Sequence, residues 1–184
     1  MIYPIVAYGD PVLKKLAKDI TKDELDIKQL IADMFETMQN AGGIGLAAPQ
    51  IGKSIRVFIA DASPLEDEKI QGFKKVFINP IILEEFGDDW GYEEGCLSIP
   101  GIRGEVVRPS KVRIQYLDEN FVEHTEEFDG MPARIIQHEY DHIEGILFTE
   151  YLSMLKKQLV KGKLNNISKG DVDVNYRMKF PVKR

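Results

Sequence analysis

The run His138-Glu139-Tyr140-Asp141-His142 holds side chains that together can do hydrolytic chemistry. On a helix, His138 and His142 stand on one face, and two imidazoles at that spacing can bind one metal ion. Glu139 lies beside them, placed to take a proton from a metal-bound water. The chain contains three histidines and one cysteine, so residues of this kind are scarce. The bland alternative is a solvated helix face that reads HExxH by chance.

The flanking residues predict a helix there. Pro132 suits a first helical turn, where its missing N–H costs nothing. Asp129-Gly130 before it is turn chemistry. Ile135, Ile136, Tyr140 and Ile143 recur at helical spacing, and Gly145 is a natural stop. The expected helix is about three turns long, with its metal face partly buried. A catalytic metal usually takes three protein ligands and leaves one position for water. No histidine follows His142. Glu144 is too close in sequence to reach the same ion, and Glu150 ends a short linker. Upstream, Cys96 sits in Glu94-Gly95-Cys96-Leu97-Ser98-Ile99-Pro100. A lone cysteine is often just a small buried hydrophobe. A metal helix short of a ligand favours the thiolate instead.

A third segment, Gly43-Ile44-Gly45-Leu46-Ala47-Ala48-Pro49-Gln50, follows an amphipathic helix with Ile27, Leu30, Ile31, Met34, Phe35 and Met38 on one face. Gly42 and Gly43 are expected to end that helix. The small residues beyond would let another backbone lie close. Gln50 offers an amide donor for a developing oxyanion. Alone, the segment also reads as a plain helix-to-strand connection.

Together, GIGLAAPQ at 43–50, EGCLS at 94–98 and HEYDH at 138–142 resemble the peptide deformylases of bacterial type, over roughly the first 150 residues. The resemblance implies removal of the formyl group from N-formylmethionyl nascent peptides, with release of formate. It implies a metal held by Cys96, His138 and His142, with ferrous iron as the physiological ion; the donor set also accepts zinc, nickel or cobalt. Glu139 would be the general base and then the acid, while Gln50 and the backbone N–H of Leu97 would hold the oxyanion. The substrate would lie as an added strand beside Gly43, Ile44 and Gly45. Gly45 and Gly95 would leave room for its backbone. Ile44 and the 134–138 helix turn would line the methionine pocket. Arg103 is a candidate substrate contact; for it and for Glu94 the alternative is a structural pair or a solvated face, which is the simpler reading for Arg103. Asp141 either orients a ligand histidine or faces solvent. His124 reads as a surface histidine, and Trp90 and Tyr92, in an acidic loop, as packing residues or as a cap on the sheet or the substrate groove.

The chain of 184 residues is long enough for a proper core. Residues 1–165 are expected to form one catalytic domain including a C-terminal helix, and residues 166–184 a basic tail. Ile55–Ala60, Val76–Leu83, Val112–Leu117 and Val122–Phe128 read as strands, the last as an edge strand. Asp118-Glu119-Asn120 reads as a hairpin connection, and Asp61 to Gln71 as a surface loop insertion. Strands in the middle with helices on both sides suggest α+β. The resemblance implies mixed and antiparallel sheets wrapped around a central metal-binding helix. No apolar run is long enough to span a membrane, and the start of the chain lacks a signal-like region, so a cytoplasmic protein is expected. One cysteine excludes an internal disulfide framework.

Charge is uneven. Residues 151–184 hold nine Lys or Arg and two Asp or Glu, a net +7 in a chain of net −6. This basic segment is either a solvated helix with a loose end or a docking face for an acidic partner. In some members of the resembled family the C-terminal helix helps the enzyme sit on the ribosome; Lys156, Lys157, Lys161 and Lys163 could serve that here. Asn175–Val182 alternates weakly, as a short strand or a disordered end. The acidic body argues against sequence-specific nucleic-acid binding. Two rival readings differ in kind. A zinc endopeptidase would take a third ligand downstream of His142. A non-enzymatic structural-metal protein would close its site with four ligands.

Overall fold

The computed structural model describes residues 1–181. Val182, the last residue of the segment read as a short strand or a disordered end, and the last two basic residues lie outside that range.

Two elements form where the sequence pattern places them. Helix α1, Ile27–Asn40, starts at Asp26, whose carboxylate accepts from the Gln29 N–H at 3.1 Å. It buries Ile27, Leu30, Ile31, Met34 and Met38 and ends into Gly42, which takes a left-handed conformation. Helix α2, Gly130–Ile143, has 14 residues, so it is about four turns rather than three. Its C-terminal stop is Gly145, at φ +75°; a side chain there would stand 2.6 Å from the Lys14 carbonyl oxygen.

The sheet differs more from expectation. Strands β1 (Ile5–Val6), β2 (Gly45–Ala47), β3 (Val57–Asp61), β4 (Lys74–Cys96), β5 (Ile99–Leu117), β6 (Glu123–Asp129) and β7 (Met178–Lys179) make two sheets. One is five-stranded and antiparallel in the order β2-β3-β4-β5-β6; the other is the parallel pair β1-β7. The expected Val76–Leu83 and Val112–Leu117 are fragments of the two long strands β4 and β5. The acidic loop before the cysteine motif is the second half of β4. Its Glu84, Glu85, Asp88 and Asp89 are exposed, so one face is solvated and the apolar alternation that marks a strand is lost. Register shifts along the β4–β5 pair, one of them at Asn79 (φ +47°), bend it instead of ending it.

The edge position of β6 and the turn at Asp118 agree with the reading of the sequence. The Asp118 carboxylate accepts from the Asn120 and Val122 N–H groups. Asp61, expected to open the surface loop, ends β3 and Ala62 is buried; residues 63–72 run over the surface with one short 3-10 turn, Ser63–Leu65.

Helix α2 lies against β2, β3, β5 and β6, so the sheet wraps the helix that carries the HExxH run. The architecture is α+β with antiparallel and parallel pairings, as expected. Helix α3, Met154–Lys169, is capped by Ser153 and Gly170, and its last residue lies four past the anticipated boundary at 165. It buries only Val160 and Ile167. Beyond it the chain is not a loose end. Val172, Val174, Tyr176, Met178 and Phe180 turn toward the body, while the residues between them are exposed. No helix among the described residues is long and apolar enough to cross a membrane.

Candidate active site

Cys96 is the last residue of β4, and Leu97-Ser98 is the two-residue turn that joins β4 to β5. The hairpin tip therefore delivers the thiol onto α2. Cys96 Sγ lies 3.3 Å from His142 Nε2. The candidate ligand atoms of Cys96, His138 and His142 all fall within 4.8 Å of one another. Among the described residues no other His, Cys, Asp or Glu joins this group. Glu150 is engaged elsewhere, accepting from Lys14 Nζ at 2.6 Å and the Leu147 N–H at 2.7 Å. Glu144 pairs with Arg56 at 2.9 Å. A downstream third ligand is thus not available from either residue.

The donor set suits a divalent cation. Glu94 Oε1 is 2.8 Å from His138 Nδ1. An ionised carboxylate accepts only, so Nδ1 carries a proton, and Nε2 is the atom a metal would take in place of the second proton that, against the effect of burial, Cys96 and Glu94 otherwise favour on this ring. His142 is buried, its Nδ1 has no hydrogen-bond partner, and burial followed by the neighbouring His138 holds its pKa well below the usual imidazole value. A neutral imidazole is the ligating form. A buried pair of imidazoles beside a thiol is costly unless something satisfies them, and a cation does.

Glu139 lines the same cleft, with its carboxylate against Gly45 of β2. It is buried, and its Oε2 has no partner. Burial pushes its carboxyl up to about 7 against the opposing pull of His138. Gly45 makes this possible: a Cβ there would lie 2.5 Å from Glu139 Oε1. The space at Gly45 is thus taken by Glu139 itself, and that at Gly95 by the Arg103 guanidinium, at 2.8 Å from the corresponding position. Peptide backbone, for which both glycines were expected to leave room, would meet these side chains first.

Gln50 is buried and fixed at both ends of its amide. Its Oε1 accepts from the Ala47 N–H at 3.0 Å, and its Nε2 donates to Ser98 Oγ at 3.2 Å and faces Cys96 Sγ at 3.4 Å. Gly43, Ile44, Gly45, Gln50, Gly95, Leu97 and Arg103 line one cleft of about 830 Å³ with Cys96, His138 and Glu139. Arg103 is on its exposed rim and donates to the Glu93 carbonyl at 2.8 Å.

Glu94 is neither solvated nor a simple pair. It is buried and accepts from Arg108 Nε (2.7 Å), Arg108 Nη2 (3.0 Å) and Arg134 Nη1 (2.8 Å) as well as from His138. Burial alone would raise its carboxyl, but the bonds from His138 and Arg108 outweigh it and hold the group well below the ordinary carboxylate range. Asp141 orients no histidine and does not simply face solvent; it accepts from Arg108 at 2.8 Å. His124 is remote from the cleft and pairs with Asp118 at 2.7 Å. Trp90 and Tyr92 cover the Arg134 guanidinium, at 4.5 and 5.8 Å from the ring centroids. Arg108 and Tyr176 went unread in the sequence, and Arg134 reads there only as part of the 134–138 turn, because a lone arginine or tyrosine carries no local mark of burial.

An HExxH helix, a cysteine thiol converging on it and a buried carboxylate in an open cleft define a metal-dependent hydrolase. The polypeptide deformylase family model matches residues 2–158. The chain is 65% identical over 184 residues to a peptide deformylase of Cytophaga hutchinsonii, covering 100% of both chains. It is 52% identical to that of Flavobacterium psychrophilum, again over 100% of both. The crystal structure of a peptide deformylase from Legionella pneumophila superposes with a TM-score of 0.81 at 38% identity, covering 92% of this chain and 96% of that one. The chain belongs to the peptide deformylase family: it is a hydrolase that removes the N-formyl group of nascent peptides.

Proposed function

We propose that the reaction is carried by Glu139 beside a divalent cation held by Cys96, His138 and His142, and that this cation is Fe2+ in the cell. The observation that carries the reading is the convergence of three ligand atoms within 4.8 Å next to a buried carboxylate. When bound there, the cation supplies Lewis-acid polarisation and lowers the pKa of a water. Glu139 accepts the proton of the attacking water and returns it to the departing amine. The Gln50 amide, its plane fixed by the Ala47 N–H, and the Leu97 N–H donate to the formyl oxygen as it gains charge. Zinc, nickel or cobalt would also suit this donor set.

The substrate is placed by backbone pairing. Among the described residues strand β2 pairs only with β3, so its other edge has no strand on it, and Gly43, Ile44 and Gly45 border the cleft. A peptide added there would pair through main-chain groups and tolerate varied sequence. Ile44, with Ile135 from the 134–138 turn, supplies apolar surface for the methionine side chain. Arg103, on the rim, is placed to meet the peptide beyond its first residue.

Anaerobically purified protein is expected to contain about one iron per chain and to release formate from formyl-Met-Ala-Ser. Air should cost it both iron and activity. Cys96→Ala should lose metal and turnover together. Well-metallated wild type that gives no formate would sink the catalytic assignment, and iron-free active protein would sink the assignment of iron.

Helix α3 exposes Met154, Leu155 and Leu159 among Lys157, Lys161 and Lys163, with Lys156 half-buried. Few of its side chains serve the core, which supports a cytoplasmic role for this face as a contact with the ribosome. Neutralising the four lysines should lower ribosome co-sedimentation, more so at low salt. Unchanged co-sedimentation would remove the contact.

A further inference from the structure

The turn Leu97-Ser98 has two carbonyl groups to satisfy, and a hairpin tip offers no ladder partners for them. The Ser98 carbonyl accepts from the Tyr8 N–H at 2.9 Å. The Leu97 carbonyl accepts from the Tyr176 hydroxyl at 2.7 Å. Tyr176 lies on the strap that follows α3, beyond residue 158, where the family model stops matching.

The strap is anchored on both sides of Tyr176. Before it, Gly170 closes α3 and the Asp171 N–H donates to the Asn166 carbonyl at 2.9 Å. After it, β7 pairs with β1, with the Ile5 N–H on the Arg177 carbonyl and the Ala7 N–H on the Lys179 carbonyl, both at 2.9 Å. Residues 173–176 line the cleft that holds Cys96 and Glu139. The strap is therefore one wall of the reaction site, fixed by the same N-terminal segment that holds Ser98.

We propose that Tyr176 is a positioning residue: its hydroxyl fixes the Leu97 carbonyl and so the aim of the hairpin tip that presents the Leu97 N–H to the formyl oxygen. This rests on the oxyanion role assigned above to that N–H. The phenol is suited to the task. It is half-buried, and burial, followed by the nearby Cys96, pushes its pKa up to about 12, so it stays a neutral donor through the working pH range. Leu97 is held on its other side by Gly43, where a Cβ would stand 2.9 Å from Leu97 Cδ1. Without the hydroxyl, the tip keeps its packing and loses the bond that sets its rotation.

The test is Tyr176→Phe in the metal-loaded enzyme, which keeps the ring and removes the bond. With formyl-Met-Ala-Ser, kcat is expected to fall about tenfold, because losing a whole oxyanion donor costs about 10²–10³ and misaiming one costs part of that. KM should stay within about twofold, metal content at about one per chain, and the thermal midpoint within a few degrees. In the zinc-loaded protein the Ser98 amide resonance, whose peptide group includes the Leu97 carbonyl, should shift. An unchanged kcat with a shifted Ser98 resonance would overturn the proposal, as would an unshifted Ser98. A kcat loss that tracks lost metal or a lowered midpoint would also overturn it, since it would mark a merely structural role. Formate release by the wild type stands as the separate check on the reading beneath it: an active wild type with an unaffected Tyr176→Phe sinks only the positioning role.

Discussion

Glu139→Gln is expected to lower formate release by about two to four orders of magnitude while leaving the metal in place. Glu139 neighbours a ligand but is not placed as one; its Oε2 is buried without a partner, facing the cleft. Glutamine has the same shape, so it fills the space that Gly45 opens for the side chain. It cannot take a proton. If proton transfer is what Glu139 supplies, turnover falls and KM changes little, because the amide still occupies the carboxylate's volume. Metal content by mass spectrometry and the thermal midpoint should match the wild type. Retention of more than about a tenth of kcat at full metal occupancy would move the general base elsewhere. Alanine is the poorer probe, since it also opens a void beside His138.

The chemistry was more legible than the scaffold because ligand spacing along a helix is local. The HExxH helix carries its own start, stop and apolar stripe within the run from Asp129 to Gly145, and the cysteine and glycine-rich motifs are short and contiguous. The long strands are another matter. Half of β4 has one face in water, and its glutamates and aspartates look like a loop until β5 is laid beside it. The buried arginines show the same limit. Arg108 and Arg134 are tolerated inside only because Glu94, 14 and 40 residues away, meets them there. Tyr176 becomes part of the site only through a bond to a backbone carbonyl 79 residues earlier in the chain. In each case the signal is a pairing across the fold, and no window of sequence contains both partners. The strap itself left a trace: the alternation from Val172 to Phe180 is regular once Val172 and Val174 are counted, whereas a reading begun at Asn175 sees only its weaker end.

Glu94→Ala should be the most destabilising single change at the site, at about 3–5 kcal/mol, the usual cost of stripping the partner from a buried ion pair. Arg108 and Arg134 each donate to Glu94, and all three side chains are buried. Removing the carboxylate leaves two guanidinium groups inside, with Asp141 as the remaining carboxylate partner and backbone carbonyls and the Trp90, Tyr92 and Tyr151 rings to face them. His138 also loses the acceptor that sets its tautomer, which should weaken metal binding about tenfold to a hundredfold. Urea unfolding of the zinc-loaded and chelator-treated proteins separates the two effects. The ion-pair loss is present in both states, whereas weaker binding adds a further loss only in the loaded one. Glu94→Gln should fall between, since its amide oxygen can serve one donor but its NH2 group opposes another. A loss below about 1 kcal/mol in the chelator-treated Glu94→Ala protein would mean that water reaches the arginines and that the pair is not a buried one. An unchanged zinc affinity would break the link between Glu94 and His138. The same carboxylate would then be holding the long hairpin to α2 without tuning the ligand it touches.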